Sequence, residues 1–312
     1  MRSWQGTRYI YKTIQSSHSY MPQLKTSYIY LILTIILWSA IPAVSKLILA
    51  ELDNFQMLCY VVIIGAISLF FFNLFSGKLN LLKSYTRKDF LIMFSMGFLG
   101  VFLYHLFLYS SFALAPAGQV NVMNYLWPIF IVILSIPILH EKFNYKTIFA
   151  IVLSFLGAII ALTKGNFAVF SGQYSLGYLL AAIGALFYGL FCVLGKKVRY
   201  DKLSSMLVYF IAAAIFIIPT TAIVSGFVMP KSLTTIVCLL VLGGLINSLT
   251  LVLWFEALKS GHTHKTANLV YIVPFLAMVW TYFLNAEPFS IYAIIGLFLI
   301  VGGALIQLKN NT

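Results

Sequence analysis

Charge is what this sequence has least of. Asp, Glu, Lys and Arg make up 9% of its 312 residues, against roughly 25% in an ordinary soluble domain. Hydrophobic residues reach 62% and mean hydropathy is +0.98, so a water-soluble fold would have a core and no surface to cover it. No polar stretch is long enough to fold as a second domain, which confines any function to the apolar body. Cysteine is scarce too: Cys59, Cys192 and Cys238 all fall in apolar runs, with no CxxC pair and no His at ligand spacing. They read as small apolar fillers, and no metal or cofactor is expected. There is no GxSxG, no Walker A loop and no pair of carboxylates inside an apolar run, which disfavours an intramembrane enzyme or a pump with its own ATPase. His140-Glu141 begins like an HExxH zinc motif, but Asn144 stands where the second histidine is needed.

What is present is a series of apolar runs of about 20 residues, the length that crosses a bilayer as a helix. Lipid offers backbone polar groups no partner, so such runs fold as helices rather than open strands. Ten can be marked, at 28–50, 54–75, 90–111, 117–139, 146–163, 174–195, 204–226, 233–255, 266–285 and 290–308. The expected fold is an all-α integral membrane protein of ten transmembrane helices.

The net charge of +13 would suggest nucleic acid in a soluble protein, but its distribution here marks orientation. With the N-terminus inside, 17 of the 20 Lys and Arg fall on inner segments, and Lys46, Lys164 and Lys231 alone fall outside. Both ends are then cytoplasmic, in a multi-pass protein of the plasma (inner) membrane. Residues 1–23 read as a disordered cytoplasmic segment. Residues 1–20 hold Arg2, Arg8 and Lys12 and no acid, yet lack the apolar stretch of a secretory signal. With Met21 just before the first run, they are an arm, an upstream start or an organelle-targeting segment.

A shift of 146 positions aligns Tyr125 with Tyr271, Pro128 with Pro274, Glu141 with Glu287, Phe143 with Phe289, Gly157 with Gly303 and Ala158 with Ala304. A shift of 144 aligns Gly100 with Gly244. The chain therefore divides into halves, 24–164 and 165–312, of five helices each. Five is odd, so the second half enters the membrane from the opposite side and the repeats are inverted. Such halves meet around a mid-membrane cavity able to open to either side.

Polar groups inside a span are costly unless they face a cavity or a partner helix. Asn121, Asn124, Tyr125 and Pro128 follow i, i+3, i+4, i+7 and share one face of the fourth run. Trp127 adds an aromatic surface, and Pro128 removes a backbone donor, freeing a carbonyl one turn earlier. Asn268, Tyr271 and Pro274 repeat the pattern in part in the ninth run. Trp38, Pro42 and Ser45 line one face of the first, with Tyr188 their counterpart in the sixth. His105 with Tyr109, and Asn247 with Trp254, add candidates in the third and eighth. Each also has a bland reading as packing glue between helices, as an interfacial aromatic ring, or as a histidine satisfying a carbonyl. Glu256 reads as a surface partner of Lys259, and Glu141 and Glu287 as caps of the following helices.

His140-Glu141-Lys142-Phe143, followed by an apolar helix containing Leu156-Gly157-Ala158, resembles the EamA domains of the drug/metabolite transporter superfamily over about residues 24–308. Val122-Met123-Asn124-Tyr125-Leu126-Trp127-Pro128 is similar to the fourth-span motif of its bacterial aromatic amino-acid exporter branch. Tyr178 to Ala185, with Tyr188 and Cys192, is similar to that branch's sixth span, while Trp254-Phe255-Glu256 and Gly261 to His264 depart from it. The resemblance implies two EamA repeats, a basket-shaped ten-helix fold and an inner-membrane exporter with a central apolar cavity. The expected function is alternating-access export of aromatic or other neutral amino acids. Substrate contacts would come from Trp38, His105, Asn121, Asn124, Tyr125, Trp127, Tyr188, Asn247, Asn268 and Tyr271, and hinges from Pro42, Pro128 and Pro274. The alternatives are an uptake carrier for a nucleotide derivative or cofactor, and a channel or non-transporting membrane partner. The expected partners are a small-molecule substrate and the lipid bilayer, with no nucleic acid. Oligomeric state is left open, a monomer being compatible with these residues.

Overall fold

The computed structural model describes residues 28–115, 117–141, 145–163, 165–166, 172–259, 269–270, 272–285 and 291–309. Every regular element among them is helical. In chain order these are α1 (Tyr28–Leu49), α2 (Asn54–Phe75), α3 (Arg87–Leu114), α4 (Ala117–Asn124), α5 (Trp127–Leu139), α6 (Tyr145–Thr163), α7 (Ser175–Lys197), α8 (Lys202–Val224), α9 (Leu233–Leu258), α10 (Ile272–Asn285) and α11 (Ile291–Lys309). Among the described residues, six helices are long and apolar enough to cross a membrane: α1, α2, α3, α7 with its leading turn, α8 and α9. This is a multi-pass integral membrane protein.

Local chemistry sets where helices begin. Asp53 starts α2 with a reciprocal capping box to Gln56, and Thr86 starts α3 in the same way with Asp89. Asp201 and Ser232 accept from the first-turn amides of α8 and α9. Each such cap satisfies backbone donors that no earlier carbonyl can reach.

Proline sets where helices break, and this corrects the reading of the fourth run as one rod. It is two helices, interrupted at Tyr125 and Leu126, because Pro128 has no N–H for the Asn124 carbonyl. The Leu126 amide bonds instead to the Met123 carbonyl at 3.2 Å. The first run is interrupted in the same way at Ala40, ahead of Pro42. In the ninth, the Val273 amide turns back to the Val270 carbonyl at 2.8 Å, ahead of Pro274.

Two wider turns punctuate α3 and α9. Phe98–Leu103 and Leu242–Asn247 are π-helical and stand at the offset that aligns Gly100 with Gly244. Helix α2 packs on the second π segment and α8 on the first. Glycine permits both approaches: a side chain on Gly243 would strike the Val61 carbonyl at 2.7 Å, and one on Gly97 would strike the Tyr209 carbonyl. Gly157 and Gly303 hold α6 against α11 reciprocally, each facing the other helix's backbone. Packed pairs α2–α8, α3–α7, α5–α7 and α6–α11 join the first part of the chain to the second.

Candidate functional site

Where α1, α3, α4, α5, α7 and α9 converge, they enclose a cavity of about 40 Å³. That is room for about three water molecules. Eight of the ten sequence-derived site residues line it: Trp38, His105, Asn121, Asn124, Tyr125, Trp127, Tyr188 and Asn247. Asn268 and Tyr271 lie outside the described residues. Pro42 and Pro128 sit at the helix breaks behind this wall, and Pro274 lies within α10.

The break ahead of Pro128 lets α4 present Asn121 and Asn124, the turn after it Tyr125, and α5 Trp127. Trp127 is 3% exposed, so it is an interior ring and not an interfacial anchor. Trp38, Trp127 and Tyr188 make the aromatic wall, with Trp254 fully buried behind it. Trp127 stands edge-on to Trp38 at 6.0 Å, to Tyr188 at 5.1 Å and to Trp254 at 5.4 Å between ring centroids. Trp38 also meets Tyr188 at 6.1 Å and Trp254 at 5.4 Å. Edge-to-face contacts place the positive rim of one ring on the negative face of the next.

Polar side chains are tied in pairs across helices. Asn124 Nδ2 donates to the Tyr104 hydroxyl at 3.4 Å, and Asn247 Nδ2 to the Tyr109 hydroxyl at 2.7 Å. Trp38 Nε1 donates to Thr250 Oγ1 at 2.7 Å, and that hydroxyl back-bonds to the Ile246 carbonyl. Trp254 Nε1 donates to Cys192 Sγ at 3.3 Å, so this cysteine is more than filler. His105 Nδ1 lies 2.9 Å from the Val101 carbonyl. The Asn124 Oδ1 atom and the Tyr188 hydroxyl are buried with no hydrogen-bond partner, the latter beside Cys192.

Tyr104, Leu108, Phe112, Ile41 and Leu251 also line the cavity and were missed as site residues, as was Tyr109, noted only as a neighbour of His105. Tyr104, Leu108 and Phe112 are spaced i, i+4, i+8, but in a uniformly apolar helix this spacing does not say which face meets a cavity. Among the described residues, no ionisable side chain other than His and Tyr lines the cavity. Among the cations near span ends, Lys46 is exposed and Lys196 bonds Glu141 at 3.0 Å. Glu141 is thereby a tie to α7 rather than simply a cap. Glu287 and the Lys259 side chain lie outside the described residues.

Residues 25–163 and 175–308 each match the EamA-like transporter family. The chain belongs to that family. A transporter of Archaeoglobus fulgidus called uncharacterised is 25% identical over 91% of this chain and 98% of its own length. A Bacillus subtilis relative, the uncharacterised transporter YxxF, is 24% identical over 93% of this chain and 91% of its own. The aromatic amino acid exporter YddG of Ancylobacter novellus is 30% identical over 31% of this chain and 34% of its own. A solved crystal structure superposes with a TM-score of 0.78 at 21% identity, covering 92% of this chain and 99% of that one, and establishes the shared fold. This EamA-like chain is therefore a membrane transporter, with a small-molecule substrate and the bilayer as its partners.

Proposed function

We propose that this EamA-like chain is a secondary carrier working by alternating access, which exports aromatic or other neutral amphipathic amino acids across the plasma membrane. The observation that carries the reading is the mid-helix cavity, walled by tryptophan and tyrosine rings and furnished with neutral amides and phenols. In this reading Asn121, Asn124 and Tyr125 hold the polar end of the substrate, and Trp38, Trp127 and Tyr188 pack its apolar part, with Tyr271 a fourth ring. The partial similarity to an aromatic amino acid exporter supports this cargo class.

Ten crossings in two inverted five-helix halves fit the two family matches, the offset π turns and the reciprocal glycine contact of α6 and α11. Both termini then lie in the cytoplasm. A cavity sized for a few waters fits a closed stage of the cycle, so cargo entry requires the aromatic wall to part. The rival cargo, an anionic nucleotide derivative, needs fixed cations, and the described lining offers none.

The test is counterflow in proteoliposomes with labelled amino acids and nucleotides, with and without a pH gradient. Asn124→Ala and Tyr125→Ala are expected to abolish saturable flux while the protein stays folded in the membrane. Normal flux in both variants refutes the site, and nucleotide flux without amino-acid flux refutes the cargo.

A further inference from the structure

Trp38 stands at a break in its own helix, where Pro42 has no N–H for the Trp38 carbonyl. The backbone of α1 therefore does little to aim this ring at Trp127, Tyr188 and Trp254, which it meets edge-on or tilted. Such contacts depend on ring orientation, and something else must fix it.

A relay of two hydrogen bonds through Thr250 does so. Trp38 Nε1 lies 2.7 Å from Thr250 Oγ1, and that hydroxyl bonds to the Ile246 carbonyl one turn back. Each link has a single possible direction. An indole N–H can only donate and a carbonyl can only accept, so the one hydroxyl proton goes to Ile246 and a lone pair faces the indole. Ile246 belongs to the π turn Leu242–Asn247, so a ring of α1 is tied to the π turn of α9. Thr250 itself is fully buried and does not line the cavity.

The next residue is secured by a relay of the same kind. Trp280 Nε1 on α10 donates to Ser39 Oγ at 2.8 Å, and Ser39 Oγ donates to the Ile36 carbonyl at 2.6 Å. The break in α1 is thus pinned to α9 and α10 at adjacent residues, and only the Thr250 tether ends on a ring of the cavity wall. On α3 the matching place is taken by His105, whose Nδ1 lies 2.9 Å from the Val101 carbonyl in the other π turn. There the polar side chain lines the cavity itself; on α9 it reaches the cavity through Trp38.

We infer that Thr250 is a positioning residue for cargo recognition, which acts by holding the Trp38 indole in the wall. This rests on the carrier reading above and adds to it a residue that touches no cargo. The ring is ordered before cargo arrives, so the tether acts on affinity more than on turnover.

Thr250→Val removes the hydroxyl and keeps the branched shape, while Thr250→Ser keeps the hydroxyl and removes the methyl. In proteoliposome counterflow with phenylalanine, Thr250→Val is expected to raise the half-saturation concentration about fivefold, as for one hydrogen bond of ordinary net strength, with maximal flux per carrier within about twofold of wild type. Thr250→Ser is expected to match wild type. An unchanged half-saturation concentration in the valine variant, or an equal rise in the serine variant, overturns the inference. In a Trp38→Phe background there is no N–H to hold, and Thr250→Val is expected to have no further effect. The same rise in that background overturns the inference too, since the threonine would then act by packing alone.

An assay without cargo separates the tether from the carrier reading. In the isotope-labelled full-length chain in detergent, the Trp38 indole proton resonance is the one lost in Trp38→Phe. It is expected to move upfield in Thr250→Val and to hold its place in Thr250→Ser. A resonance that valine leaves unmoved overturns the inference whatever is transported. A resonance that moves while wild type carries no labelled amino acid upholds the tether and removes the cargo reading. Should the valine variant not fold, Thr250→Cys takes its place: sulfur accepts weakly, so smaller changes in the same directions are expected, and none at all overturns the inference.

Discussion

Three glycines on two helices give a test of packing whose sign changes between adjacent residues. An alanine methyl at Gly157 would lie 2.6 Å from the Gly296 carbonyl oxygen, and one at Gly303 would lie 2.5 Å from that of Ala150. Carbon–oxygen contacts settle near 3.3 Å or more, so α6 and α11 would have to separate by about 0.7 Å. Backbone oxygens cannot rotate aside as a side chain can. Overpacking of this kind costs about 1–3 kcal/mol. Replacing a helical glycine by alanine returns about 1 kcal/mol of propensity. The expected net is a loss of about 1 kcal/mol for Gly157→Ala and for Gly303→Ala. At Gly302, one position earlier on α11, the added methyl meets nothing within 4 Å, so Gly302→Ala keeps the propensity gain and stabilises. In the double variant Gly157→Ala/Gly303→Ala, one separation relieves both clashes, and the loss is smaller than the sum of the two. Thermal unfolding in detergent, followed by fluorescence on size-exclusion columns, reads all four variants. The same sign at 302 and 303, or strict additivity at 157 and 303, would refute the close-packed crossing.

Further expectations concern the ends of the helices. Glu51 accepts from Ser232 and from the Lys231 amide, and hydrogen bonds from Thr235, Lys231 and Ser232 hold its carboxyl down from about 4.5 to about 2. A depressed pKa stabilises above the unfolded value and ceases to do so as pH falls through the folded one. The stability difference between wild type and Glu51→Gln should thus be full above pH 4.5 and vanish towards about pH 2, and a pH-independent difference in melting refutes this. Asp201 caps α8 through Ser204 and meets Lys78 at 2.7 Å. Asp201→Ala should cost about 1–2 kcal/mol, and Lys78→Ala less, in the same melting assay. Tags at the two termini should both be protected in sealed right-side-out vesicles; exposure of one end alone contradicts an even number of crossings.

The membrane class was legible because it is additive. Each apolar residue contributes to a run whatever its neighbours do, and length alone decides whether the run can span a bilayer. The repeat was legible for a similar reason: Pro128 and Pro274, or Gly157 and Gly303, are backbone requirements that a sequence displays directly. Asn121, Asn124 and Tyr125 could be singled out because a polar group in a span needs a reason to be there. The break at Tyr125 was less apparent, since a proline near a helix start and one inside a helix read alike until the hydrogen bonds are placed.

By itself, then, the sequence determined that this chain is helical, where the apolar runs lie, and which polar and proline residues interrupt them. Only the tertiary structure decided that Tyr104, Phe112 and Leu251 face the cavity and that Trp254 packs edge-on against Trp127. It also decided that Asn124 and Asn247 reach the Tyr104 and Tyr109 hydroxyls and that Asn124 Oδ1 is buried without a partner. The physical reason is that lipid accepts any apolar face. With every side of a helix equally apolar, periodicity cannot tell a lipid-facing ring from a cavity-facing one, and the assignment falls to contacts between residues as far apart in the chain as Trp38 and Thr250.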